Sequence, residues 1–337
     1  MNNLTPSELV LMRKACQITR DALNYCESII KPNMTTLALD KMLEKYIIDC
    51  GGYPASKGYE GFPGATCISV NDMVVHGIPS DKIVLKEGDI VSVDIVVRYK
   101  GLYGDAARTF PVGKISPEKQ RLIDVTKQCF FEGIKNLQIG HRLGELSHAI
   151  QAYAEKNGYS VVRELVGHGI GKSMHEPPNV PNYGKVTDGP IVTENACLAV
   201  EPMINMGRKE VWLIEDGWGV VTRDGLCSAH YENTVHVTKD GIEIMTLWGE
   251  NMKIGNVVLA TAGKEKGQIF VIVKLDDKYV YLSDGKRLKA TKPKKKSYKH
   301  IKKYTLKSLT ESEVLDKNER VNAKIRKFLS NIRSEHV

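Results

Sequence analysis

The stretch Gly88–Gly113, GDIVSVDIVVRYKGLYGDAARTFPVG, constrains this chain more than any other. β-Branched residues dominate Ile90 to Val97, Tyr-Lys-Gly follows, and Leu102 to Phe110 runs back, so the spacing predicts an antiparallel hairpin. Asp94 and Asp105 interrupt strands that should be mostly apolar. A two-residue turn at Lys100-Gly101 sets Asp105 opposite Val96, one diagonal step from Asp94 and on the same face. A four-residue turn sets the two carboxylates directly opposite each other, and only an odd-length turn separates them. Like charges that close repel, so a shared face calls for a cation between them. The competing reading is two solvent-facing acids on an exposed face. The rest of the chain weighs against it.

At 337 residues the chain can bury a substantial core and has room for two domains. No run approaches the roughly 18 apolar residues of a membrane span, and the N-terminal MNNLTPSELVLMRKACQ lacks a signal-peptide core. Seven cysteines lie scattered at 16, 26, 50, 67, 129, 197 and 227, without a CxxC pair. An odd, scattered set suits free thiols better than a disulfide framework or a structural zinc site, so a cytoplasmic protein with no membrane partner is expected. Residues 1–250 hold 26 Lys+Arg against 31 Asp+Glu, a balance of −5, while residues 251–337 hold 22 against 9, a balance of +13. The basicity belongs to the last third, which points to an anionic partner for that part alone.

Thr5-Pro-Ser-Glu8 reads as a capping box opening a first helix, which Lys31-Pro32 stops. A second helix spans roughly Thr36 to Asp49. The Gly- and Pro-rich segment Tyr53 to Gly64 is a loop that carries Tyr59 and Phe62 and leads into a strand at Thr66 to Val70. His76 lies at a strand end entering a Gly-Ile-Pro turn. Helices are expected from Pro117 to about Asn136 and from about Leu143 to Asn157, with Gly158 capping the latter. Three glycines surround His168, a composition that lets backbone approach a bound group closely, and His175 follows seven residues on. That spacing is not the HExxH of a helical zinc site. Glu201 ends the strand Cys197-Leu-Ala-Val, and Glu232 sits among β-formers in SAHYENTVHVT. The alternation of strands, hairpins and helix pairs indicates an α/β (α+β) core.

Taken together, Asp94, Asp105, His168, Glu201 and Glu232 form an oxygen-dominated set that suits Mn²⁺, Fe²⁺ or Co²⁺, with Zn²⁺ a further option. Four carboxylates carry −4, which two divalent ions cancel, whereas one ion leaves about two charges uncompensated. Two ions roughly 3.5–4 Å apart are the arrangement that activates a water for hydrolysis. The motifs Cys67-Ile-Ser-Val-Asn, His76-Gly-Ile-Pro, Val93-Asp94-Ile, Gly104-Asp105-Ala-Ala-Arg-Thr-Phe, Gly167-His168-Gly-Ile-Gly, His175-Glu-Pro-Pro, Glu201-Pro, Asp216-Gly-Trp218 and Tyr231-Glu232-Asn-Thr occur in this order. Over about residues 3–248 the chain thereby resembles the type I methionine aminopeptidases of metallopeptidase family M24.

The resemblance implies a pita-bread fold, two pseudo-symmetric halves around a curved antiparallel sheet. It also implies removal of the initiator methionine from nascent polypeptide N-termini whose second residue is small, by a commonly monomeric enzyme. By the match, Asp94 is a bidentate ligand of one metal, Asp105 and Glu232 bridge both, and His168 and Glu201 hold the second. His76 then meets the scissile amide nitrogen, His175 stabilises the carbonyl oxygen, and Glu201 shuttles the proton. Tyr59, Phe62, Cys67 and Trp218 form the methionine pocket, soft and aromatic as a thioether requires. Ser56 and Met174 depart from the cysteine and aromatic that some members carry there, which bears on pocket shape. His230 and His236 are not family ligands and read as ordinary strand residues. A proline-directed aminopeptidase shares the ligand set but usually carries an added N-terminal domain. A binding protein on a dead peptidase scaffold is a further reading, and such a protein typically loses ligands that here are all present.

From Met252 the character changes. Short β-runs at Val257–Ala260, Ile269–Leu275 and Tyr279–Leu282, separated by Gly-, Asp- and Lys-rich turns, predict a small basic β-barrel. The segment resembles the KOW-type domains of ribosomal proteins. Lys286, Arg287, Lys294, Lys295, Lys296 and Lys299, interleaved with Tyr298 and Tyr304, fit phosphate contacts and base stacking, so ribosome or rRNA is the expected partner. Thr310-Glu-Ser-Glu313 is a second capping box. It opens a helix to about Arg333 whose stripe of Val314, Val321, Ile325, Phe328 and Ile332, broken by Asn318, docks either on the barrel or on a partner. The expected divisions are 1–249, 250–305 and 306–337.

Overall fold

The computed structural model describes residues 4–247, 252–276, 279–315 and 320–334. It divides into two compact units, Met1–Thr246 and Leu247–Val337. In the first, helices α1 (Pro6–Ile29) and α2 (Thr36–Asp49) precede the hairpin Ile90–Tyr99/Leu102–Pro111. Helices α3 (Pro117–Ile134) and α4 (Leu143–Lys156) precede the paired strands Cys197–Val200 and Asn233–Thr238. Each half is thus a helix pair on antiparallel strands.

The hairpin closes through the two-residue alternative. Tyr99 pairs with Leu102, and Lys100 and Gly101 both have positive φ, 48° and 86°. This is a primed turn, whose twist matches that of the strands it joins. Val96 therefore faces Asp105, and Asp94 faces Ala107. Helix α1 is capped by the expected box, with Thr5 N donating to Glu8 Oε2 at 2.8 Å and Glu8 N to Thr5 Oγ1 at 3.3 Å. It lies so close to the hairpin that a Cβ on Gly104 would sit 2.5 Å from Cys16 N. Glycine at 104 is what lets helix and strand touch just before Asp105. Thr19 Oγ1 seals the contact, donating to the Gly104 carbonyl at 2.9 Å.

In the second half, α3 and α4 bury Leu122, Phe130, Leu146 and Ile150 against Leu198 and Val235. Each such side chain contributes about 1.5–3 kcal/mol of apolar burial. The halves join where backbone of the hairpin meets the strand Asn233–Thr238: Glu232 N donates to Ala107 O at 2.9 Å, and Thr234 Oγ1 brackets the Asp105 backbone at 2.9 and 2.8 Å. Carboxylates 127 positions apart in sequence thus share one seam.

Arg13 of α1 also grips Glu243 with two hydrogen bonds of 2.8 Å, and holds its carboxyl down from 4.5 to about 2. A depressed folded pKa means that this stability is present above about pH 4.5 and drains as pH falls toward 2. Glu243→Gln is therefore expected to lower Tm at pH 7. The gap from wild type should close as thermal melts are repeated down to about pH 2; a gap that stays constant with pH removes the ion pair as its cause.

The second unit is a five-stranded antiparallel sheet in the order Lys294–Ser297, Tyr279–Ser283, Ile269–Leu275, Asn256–Ala260, Ile301–Ser308. One face is closed by α5 (Glu311–Leu315) and α6 (Arg320–Ser334): Val314, Val321, Ile325, Leu329 and Ile332 pack on Val257, Ile269, Val271 and Val273. The apolar stripe thus docks on its own sheet, with Leu329 an added anchor and Phe328 half-buried. Asn318 lies outside the described residues. Thr310 caps as expected, its N donating to Glu313 Oε2 at 2.9 Å.

Lys286, Arg287, Lys294 and Lys295 are exposed. Lys295 Nζ sits 3.8 Å over the Tyr279 ring. Lys296 corrects the expectation of a phosphate contact: it is 8% exposed, with Nζ 3.1 Å from Glu265 Oε2, so its charge is spent inward. The side chains of Lys299, Lys302 and Lys303 lie outside what is described.

Candidate active site

A cavity of about 350 Å³ opens in the first unit. Asp94, Asp105, His168, Glu201 and Glu232 line it, as do His76, His175, Tyr59, Phe62, Cys67 and Trp218. Asp94 and Asp105 come from facing strands of the hairpin, and Cys67 pairs with Asp94 from the neighbouring strand. His168 lies in the strand Gly167–Gly169 opposite Ala199, two residues before Glu201.

Two of the glycines beside His168 are required by the sheet itself. A Cβ on Gly167 would collide with the Ala199 carbonyl oxygen, and one on Gly169 with the Pro177 carbonyl oxygen.

His168 Nδ1 is 2.9 Å from Gly169 O, which fixes the proton on that nitrogen and leaves Nε2 facing the acids. Nε2 lies 3.8 Å from Asp105 Oδ2 and 3.6 Å from Glu201 Oε1. Asp105, His168 and Glu232 each offer one ligand atom within 4.8 Å of the others. Asp94 Oδ1, Asp105 Oδ1 and Glu232 Oε1 are buried without a hydrogen-bond partner among the described residues. Burial pushes the Asp94 carboxyl up to about 7. Burial, followed by the neighbouring carboxylates, pushes Asp105, Glu201 and Glu232 well above the usual range. Acids so crowded and so short of donors fit divalent cations, whose charge reverses each of these penalties. Burial also pulls His168 down to about 4, keeping it the neutral imidazole that a metal takes as ligand.

His76 adopts a left-handed backbone, φ 58°, uncommon for a residue with a side chain. Gly77 holds that turn against the adjacent strand, with its N on Ser69 Oγ at 3.1 Å and its O accepting from Ile68 N at 2.9 Å. Tyr59, expected only as a pocket aromatic, places its OH 2.8 Å from His175 Nδ1 and so orients that ring as well. Phe62 meets Trp218 edge-on at 5.2 Å, and burial keeps the Cys67 thiol protonated, a soft apolar wall. Ser56 and Met174 also line the cavity.

Several contributors carry no chemical signature in the sequence. Arg108 is 4% exposed and donates to the carbonyls of Ala107, Glu232 and Thr246 and to Asn233 Oδ1. Asn182 Nδ2 holds the Glu201 carbonyl at 3.0 Å. His230 lines the cavity, whereas His236 is a packed strand residue between Glu243 and Asn195 at 3.2 and 3.4 Å.

The model of metallopeptidase family M24 matches residues 10–239. The chain belongs to metallopeptidase family M24. A methionine aminopeptidase of Clostridium perfringens is 49% identical over 241 residues, covering 72% of this chain and 96% of that protein. One from Bacillus subtilis is 44% identical over 242 residues, 72% of this chain and 97% of its own. Among solved structures, the methionine aminopeptidase of Rickettsia prowazekii superposes with a TM-score of 0.72 at 42% identity, covering 73% of this chain and 100% of that one. The prolidase of Pyrococcus furiosus, 20% identical with a TM-score of 0.59, covers 72% of this chain and 64% of its own and shares the fold alone. Within the M24 family this enzyme stands with the methionine aminopeptidases, and its first unit has their pita-bread fold. The family match stops short of the second unit.

Proposed function

We propose that this M24 enzyme removes the N-terminal methionine from nascent polypeptides whose second residue is small. Two divalent ions would be held by Asp94, Asp105, His168, Glu201 and Glu232, with Asp105 and Glu232 shared between them. The observation that carries this reading is the convergence of four carboxylates, Asp105 and Glu232 buried and Asp94 and Glu201 partly so, three with oxygens unpartnered among the described residues, beside a thiol- and aromatic-lined pocket. When bound, the ions supply Lewis acidity and make a water acidic enough to attack at neutral pH.

The side chains do the rest. Glu201 takes the proton of the attacking water and returns it to the leaving amine. With Tyr59 donating to Nδ1, His175 presents Nε2–H to the carbonyl oxygen as that oxygen gains charge. His76, aimed by its left-handed turn, meets the scissile nitrogen. Cys67, Phe62 and Trp218 receive the thioether. The physiological ion is Mn²⁺, Fe²⁺ or Co²⁺, with Zn²⁺ a further candidate, and metal analysis of anaerobically purified protein decides among them.

Purified protein is expected to cleave Met-Ala-Ser and to spare Xaa-Pro peptides, and EDTA should abolish the cleavage. Preference for Xaa-Pro would replace this reading with the proline-directed one, and inert protein would favour a binding role.

The second unit, with its balance of +13 over residues 251–337, is proposed to bind RNA and tether a monomeric, cytoplasmic enzyme near ribosomes, raising its effective concentration at emerging N-termini. Exposed Lys286, Arg287, Lys294 and Lys295 support it. The pair Lys294→Glu and Lys295→Glu should weaken co-sedimentation with ribosomes at low salt while peptide cleavage stays intact. Unchanged co-sedimentation would end the tether idea for that surface.

A further inference from the structure

His230 has no part in the chemistry described above, yet it is 2% exposed and lines the cavity. Neither of its ring nitrogens has a hydrogen-bond partner among the described residues. A buried imidazole left so is waiting for one. Its backbone is clamped on both sides to the strand that carries Asp105: His230 N donates to Thr109 Oγ1 at 2.8 Å, and Thr109 Oγ1 donates back to His230 O at 3.0 Å. Ser92 Oγ, 2.8 Å from the same hydroxyl, completes the anchor. The anchor fixes the backbone from which the ring enters the cavity.

Its Nε2 lies 3.8 Å from Glu201 Oε2 and 4.0 Å from Glu232 Oε2. Glu201 is thus flanked by two imidazoles, one for each carboxylate oxygen, with Oε1 toward His168 at 3.6 Å and Oε2 toward His230. Asn182 already holds the Glu201 backbone carbonyl, so rotation of the carboxylate is the freedom that remains. A movement of less than about 1 Å brings His230 Nε2 into hydrogen-bond range of Oε2.

We propose that His230 is a positioning residue: its Nε2–H donates to the Glu201 oxygen that faces away from His168, leaving the other oxygen for the metal and for proton transfer. Carboxylates that ligate metals are commonly oriented by such a donor. The inference rests on the metal-centre reading of the cavity and adds to it a residue that sets the orientation of the Glu201 carboxylate.

The test is cobalt binding to the full-length, chelator-stripped protein, followed by calorimetry and by the visible d–d spectrum. His230→Ala is expected to weaken the more weakly held ion by about 10–100-fold and to alter the d–d bands. His230→Gln, which keeps an N–H at similar reach, should stay within about threefold of wild type. Where His230→Ala does not fold, His230→Asn, too short to reach, takes its place with the same expected loss. The proposal is overturned if the Ala or Asn variant matches wild type in affinity and spectrum. It is equally overturned if the Gln variant loses as much as they do, because the imidazole nitrogen itself would then be the ligand. Wild-type protein that takes up no cobalt overturns the metal-centre reading, and this inference with it.

Discussion

Glu201→Gln is expected to lower kcat on Met-Ala-Ser by about 10²–10⁴-fold, the range of a positioned general acid–base group. The substitution keeps the side chain's length and one ligating oxygen but removes its ability to take a proton. Glu201 is suited to the task by its place in the cavity, where its two oxygens lie 3.6 Å from His168 Nε2 and 3.8 Å from His230 Nε2. Its carbonyl is held by Asn182, so the glutamine variant should keep the backbone path. Steady-state kinetics with metal content measured on the same sample separates the two roles. A fall in kcat at unchanged metal content assigns proton transfer to Glu201. A kcat within about tenfold of wild type removes it from that role.

Arg108→Met is expected to cost about 2–6 kcal/mol of folding stability, read as a lowered denaturation midpoint at unchanged m-value. Burial disfavours the charged guanidinium, and Tyr231 and Glu232 partly offset that cost. The guanidinium stacks 4.2 Å over the Tyr231 ring and satisfies three backbone carbonyls and one side-chain oxygen. Methionine fills most of the volume and donates to none of them: Ala107 O keeps Glu232 N and Asn233 Oδ1 keeps Thr246 Oγ1, but the Glu232 and Thr246 carbonyls lose the guanidinium's bonds. The same bonds fix the Glu232 backbone beside Ala107, so Arg108→Lys should retain part of the stability yet lose activity through a displaced Glu232. A midpoint shift under about 1 kcal/mol for the methionine variant would show that water replaces those donors.

How far the fold could be read in advance follows from where each signal resides. The hairpin was legible because β-branched runs, a Lys-Gly turn and two misplaced acids all lie within 26 residues, and even turn length alone put the acids on one face. The converging acids stood out because each is a charged residue among β-formers. His230 and His236 could not be told apart in this way. Both sit in the same run, and what sends one to the cavity and the other to Glu243 is the break at Tyr231–Glu232 between two short strands. Arg108 was equally silent, since its partners Glu232, Asn233 and Thr246 lie more than 120 positions away and are mostly backbone oxygens. The strand packing that demands Gly167 and Gly169 could not be read from the glycines themselves, because crowding by neighbouring strands and room for a ligand leave the same composition. Lys296 misled, since nothing local reveals that Glu265 draws it inward.

The central claim is that the buried acids exist to hold two divalent ions that make hydrolysis possible. Titrating chelator-stripped protein with Mn²⁺, while following bound metal and Met-Ala-Ser cleavage together, tests it most directly. The account predicts no cleavage by the stripped protein and full recovery as two ions bind. Cleavage that survives complete metal removal, or protein that binds no manganese at all, would contradict it.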